Sequence, residues 1–68
     1  MRLTKSTREE NAFIATYFKD DELYAAKVYV NESGRIQHGY IDGPRKVMKI
    51  DVERHTKLVS NIEALIAN

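Results

Sequence analysis

Residues 12–28, Ala-Phe-Ile-Ala-Thr-Tyr-Phe-Lys-Asp-Asp-Glu-Leu-Tyr-Ala-Ala-Lys-Val, decide the fold, because their first half fits two periodicities. As a helix, Phe13, Ile14, Tyr17 and Phe18 recur at spacings that make one face of a 3.6-residue period. As a strand, Phe13, Ala15 and Tyr17 share one face, and a turn at Asp20-Asp21 sets them opposite Tyr24, Ala26 and Val28. The strand register is coherent, but it leaves Ile14 and Phe18 on an apolar back face and assigns no element to the polar residues before it. Upstream, Ser6 followed three residues later by Glu9 has the form of a capping box, and Glu9 and Glu10 suit the positive end of a helix dipole. We therefore expect a helix over residues 5–18, with the strand as its competitor.

Further on, residues 23–31 and 35–42 flank Glu32-Ser33-Gly34, a three-residue hairpin loop with glycine where a left-handed residue is wanted. Pairing Asn31 with Arg35 sets Val30 opposite Ile36, Val28 opposite His38 and Ala26 opposite Tyr40, all on one face with Tyr24. The other face then shows Lys27, Tyr29, Arg35, Gln37 and Gly39. Asp42-Gly43-Pro44 breaks the sheet, and residues 45–50 are expected as a short third strand, with the first turns of a long helix beginning near Pro44 as the alternative. Asp51 can cap a helix over 51–67, in which Val52, His55, Leu58, Val59, Ile62, Leu65 and Ile66 recur at helical spacing and cover the hairpin. The expected fold is α+β: one small two-layer domain over 1–68, with an N-terminal helix, an antiparallel hairpin, a possible third strand and a C-terminal helix. The alternative is a three-stranded meander with the C-terminal helix.

The 68 residues are 43% hydrophobic and 31% charged, too apolar for a disordered tail. No apolar run reaches the roughly 18 residues of a membrane span, and the start Met-Arg-Leu-Thr-Lys is unlike a signal peptide, so a cytoplasmic location is expected. Without cysteine there are no disulfides, thiolate metal sites or thiol nucleophiles. A chain of this length buries only roughly 60% of its unfolded surface, and a single core of this size yields roughly 3–5 kcal/mol. Self-association is the reinforcement still open to it, and a homodimer is expected.

Chemistry has few candidates. His38, His55 and Asp51 could approach one another, but no metal-spaced motif accompanies them, and they are read as structural. Asp20-Asp21-Glu22 is contiguous in a turn, with nothing to split the acid strengths of a catalytic pair. Ser6, Ser33 and Ser60 lack a nucleophile elbow. No enzyme activity, cofactor or metal is expected.

Binding is better supplied. The net charge is +1, but it is segregated: Arg2, Lys5 and Arg8 lead the chain, acids cluster from Glu9 to Glu22, and bases dominate from Arg45 to Lys57. Lys27, Tyr29, Arg35 and Gln37 on the hairpin's outer face, with Arg45, Lys46 and Lys49 from the next segment, form the candidate site. Its cations could neutralise phosphates or acidic side chains, and Tyr29 could stack on a base or anchor an interface. Tyr17, Tyr24, Tyr40, Phe13 and Phe18 complete an aromatic set, mostly expected in the core.

The runs Ala26–Val30, Arg35-Ile36 and His38–Asp42 resemble the second and third strands of plant ethylene-response-factor and phage-integrase amino-terminal DNA-binding domains. In those domains a three-stranded sheet with one packed helix reads the major groove. The resemblance covers under a third of the chain and implies a strand over residues 12–18. The chain departs from that pattern in lacking Trp and a dense Arg array. Short chains without cysteine or catalytic motif are also common among phage and mobile-element proteins that inhibit host machinery, anti-CRISPR proteins among them. The expectation is a non-catalytic regulator that binds a larger protein of a host nucleic-acid-handling or defence system. The alternative is a nucleic-acid-binding protein using a basic sheet face.

Overall fold

The computed structural model describes residues 1–68. Five strands and one helix follow in order: β1 (Arg2–Lys5), β2 (Ala12–Lys19), β3 (Glu22–Val30), β4 (Ile36–Asp42), β5 (Val47–Lys49) and α1 (Thr56–Ala67). Every strand pairs antiparallel with its sequence neighbour, so the sheet is a meander in the order β1-β2-β3-β4-β5. The chain is thus a small α+β domain with a single, C-terminal helix.

There is no N-terminal helix over residues 5–18. Ser6 does act as a cap, accepting hydrogen bonds from the backbone N–H groups of Arg8 (3.2 Å) and Glu9 (3.3 Å). The turn it closes goes no further, because Ala12 N–H returns to the Glu9 carbonyl and Ser6 N–H to the Ala12 carbonyl, which starts a strand. Serine side chains stabilise such local turns whether or not a helix follows. From Ala12 onward Phe, Ile, Thr, Tyr and Phe favour a pleated backbone. The β2–β3 register sets Phe13 opposite Val28, Ala15 opposite Ala26 and Tyr17 opposite Tyr24. Asp20 (φ 51°) and Asp21 (φ 62°) form the two-residue turn, both left-handed as the twist of a tight hairpin requires.

The β3–β4 hairpin forms at the expected place, with Gly34 at φ 78° and Val30 opposite Ile36. Its register then departs from the expectation. The pairing shifts between Val30 and Tyr29, so that Tyr29 faces His38, Val28 faces Gly39 and Ala26 faces Ile41. Gln37 is the extra residue of this bulge. Past it, each β4 side chain moves to the opposite face, as any one-residue slip demands. Ile41 enters the core, and His38 and Tyr40 leave it. Gly39 comes inward, where a β-carbon would collide with the Lys27 carbonyl and stand 3.1 Å from both Val28 Cα and Ile50 Cδ1.

The third strand expected over 45–50 is β5, shortened to Val47–Lys49. The C-terminal helix starts at Thr56 instead of residue 51. Asp51 caps a tight turn: its side chain accepts from Glu53 N–H (3.0 Å), its carbonyl from Arg54 and His55, and its own N–H donates to His55 Nδ1 (3.1 Å). Helix α1 lays Leu58, Val59, Ile62 and Ile66 on one face of the sheet. Ile62 has no exposed surface and joins Ala15, Ala26, Val28, Ile36, Ile41 and Ile50 in the core. Leu65 and Val52, also expected in that stripe, stay partly exposed. No helix is long and apolar enough to cross a membrane.

Candidate interaction surface

The helix covers one face of the sheet, and the other has no second layer. On that uncovered face the strand pairings align three rows of side chains. Phe18 faces Leu23; Arg2, Thr16, Ala25, Asp42 and Val47 form the next row; Thr4, Ile14, Lys27, Tyr40 and Lys49 form the third. A solvated antiparallel face ordinarily carries polar residues at these positions. Here Phe18 is 72% exposed, Val47 66%, Leu23 55% and Tyr40 47%. Phe18 and Leu23 also rim a shallow depression with Met1, Arg2, Thr16 and Tyr17.

The far end of this face is partly roofed by the β1–β2 loop. Glu9 reaches over to Lys27 with a 2.8 Å ion pair, and Ala12 has no exposed surface. Lys27 Nζ also stands 5.5 Å from the centre of the Tyr29 ring, which stacks on His38 at 4.6 Å and 13°. The Lys27 ammonium, and secondarily the Tyr29 hydroxyl, hold the Glu9 carboxyl below the usual carboxylate range. The same contacts, Glu9 first, hold Lys27 above its ordinary value. On the covered side, burial and then the neighbouring Tyr24 raise the Tyr17 phenol; the two rings stack at 5.5 Å.

The seven residues expected to form one site are dispersed. Lys27, Tyr29 and Lys49 belong to the uncovered face. Arg35 lies at the end of the β3–β4 turn, its Nε 3.5 Å from Glu63 of α1. Gln37 is the exposed bulge residue. Arg45 and Lys46 lie in the β4–β5 turn, where Arg45 pairs with Glu22 at 2.9 Å. Three of the five expected cations are therefore held by the chain's own carboxylates. His38 stacks on Tyr29 outside the core, correcting its expected place beside Val28, while the His55 ring accepts a hydrogen bond from Asp51 N–H. No three His, Asp or Glu side chains converge as a metal site.

Sequence reasoning placed Ile14 and Phe18 on an apolar back face only in the competing strand reading, and it missed Leu23, Ala25, Tyr40 and Val47. The signal for Ile14 and Phe18 was present. A strand over residues 12–19 with apolar side chains on both faces needs two covers, and the sequence supplies one helix. The bulge hid Tyr40. No protein-family model matches the chain, and no curated protein or solved structure is significantly similar to it.

Proposed function

We propose that this chain is a non-catalytic regulator that works by protein contact, with the uncovered sheet face as its contact surface. The observation that carries the reading is the exposure of Phe18, Leu23, Tyr40 and Val47 on a face with no layer of its own. Contiguous apolar patches on small domains mark interaction surfaces, and aromatic side chains are enriched at interface cores. The rim supplies Lys49, Arg2 and Asp42, none of which has an ion-pair partner within the chain. The dispersal and pairing of Lys27, Arg35 and Arg45 favour a protein over a phosphate backbone, which calls for free cations along one track.

The test is capture of binding proteins by the tagged chain, with and without nuclease, alongside two variants. Phe18→Glu alters the uncovered face, and Lys57→Glu alters an exposed position on α1. A stoichiometric partner that survives nuclease, is lost with Phe18→Glu and persists with Lys57→Glu supports the reading. Recovery of nuclease-sensitive material alone, or a partner indifferent to Phe18→Glu, contradicts it.

A further inference from the structure

We infer that a second copy of this chain covers the uncovered face when no other partner does, pairing two sheets face to face about a two-fold axis that runs along the strands between β2 and β3. This rests on the contact surface proposed above and names its first occupant.

Two of the three rows of the face are self-complementary about that axis; the third, toward the end roofed by the β1–β2 loop, sets Ile14 against Lys27. A two-fold parallel to the strands keeps each row at its own level and reverses the order of strands across it. Placed between β2 and β3, it sets β2 over β3 of the second copy and β1 over β4. Phe18 then meets Leu23 of the second copy, Thr16 meets Ala25, and Arg2 meets Asp42, with every contact made twice, as an isologous interface requires. Arg2 and Asp42 are both exposed and lack an ion pair within the chain, so the arrangement gives each a counter-charge. The most exposed aromatic ring of the molecule meets the exposed Leu23 beside its own partner strand.

Size and edges agree. The molecule measures 32 × 27 × 20 Å along its principal axes, a size at which the ~800 Å² per partner of a standard interface is an upper bound for one face partly roofed by its own loop. Two sheets pack about 10 Å apart with strands aligned to within about 30°, a separation that an Arg and an Asp side chain can bridge from opposite layers. The edge strands are poor alternatives. β1 has four residues and carries Arg2 and Lys5; β5 has three, with Lys46 before it and Lys49 at its end. Short, cationic edges discourage strand addition. Because the dimer occupies the surface that a heterologous partner needs, self-association and partner binding compete.

Sedimentation equilibrium of the full chain tests this, with circular dichroism to confirm that each variant is folded. The wild type is expected to dimerise at about 100 µM, and Phe18→Glu to be monomeric with an unchanged spectrum. Arg2→Asp and Asp42→Arg each place like charges across the two-fold and are expected to weaken the dimer about tenfold or more. The double variant restores opposite charges and is expected to return to within about threefold of wild type. A wild type that stays monomeric, a dimer that survives Phe18→Glu, or a double variant no tighter than the singles would overturn the inference. A monomeric wild type that still holds a Phe18-dependent partner would overturn the self-association alone and leave the binding reading standing.

Discussion

Asp20 and Asp21 both hold left-handed backbone in the β2–β3 turn, a conformation that costs a non-glycine residue roughly 1 kcal/mol. Asp21→Gly relieves one of these and also lets the turn adopt the Asp-Gly pair that tight hairpins prefer. We expect about 0.5–1 kcal/mol of added stability, read as a melting temperature several degrees higher, and no change in association. Gly39 gives the opposite case. Its missing β-carbon is where the Lys27 carbonyl and Ile50 sit, so Gly39→Ala forces the β3 and β4 backbones apart. The expected loss is roughly 1–3 kcal/mol, a large part of the roughly 3–5 kcal/mol that so small a core supplies, and urea titration would show the midpoint moved well down. At Glu9 the effect depends on pH. Its carboxyl is held below its unfolded value by Lys27, so the stabilisation is complete above about pH 4.5 and fades as pH falls through the folded value. Lys27 is held above its own value, so its contribution is complete below about pH 10.5 and fades as pH rises past it. Glu9→Gln should flatten both limbs of the stability profile; an unchanged acid limb would show that the pair is not formed in solution.

Among the elements, α1 and the β3–β4 hairpin are tied by one side chain. Ile36 N–H donates to the Glu63 carboxylate of α1 at 2.9 Å, and the same carboxylate faces Arg35. Glu63→Ala strips a partly buried donor of its acceptor, which costs about 1–3 kcal/mol. Arg35→Ala removes only the exposed half of the contact and is expected to cost less than about 1 kcal/mol; equal losses on thermal melting would contradict this division. The same elements show why the chain was only partly legible. The β3–β4 hairpin could be read because period-two alternation and Gly34 agree. β2 was misread because Ser6 and Glu9 carry a true capping signal that closes a turn, and because Phe13, Ile14, Tyr17 and Phe18 satisfy both periods. The face of β4 was misread because a bulge leaves no mark in composition. Gly39, the residue that must be small where the strands close up, is its nearest trace. Helix α1 was found with its start five residues early, since Asp51 caps the preceding turn with the same chemistry that would cap a helix.

At the scale of the whole molecule, one helix serves a sheet whose uncovered face is half apolar, six of its twelve aligned side chains being Ile14, Phe18, Leu23, Ala25, Tyr40 and Val47. The core is correspondingly thin: Ala15 and Ala26 sit at its centre, and Ile62 and Val28 are its largest fully buried side chains. Such a chain gains from a second cover, and the exposed side chains of Phe18, Leu23, Tyr40 and Val47 mark the face where a cover fits. The most direct measurement is a dilution series followed by side-chain NMR from about 500 to about 5 µM, a window that brackets the roughly 100 µM at which dimerisation is expected. The account predicts that the Ile14, Ala25 and Leu23 methyls and the Phe18 ring shift with concentration, while the Leu58, Val59 and Ile66 methyls beneath the helix stay fixed. Shifts confined to the helix side, or none at any concentration, would contradict it.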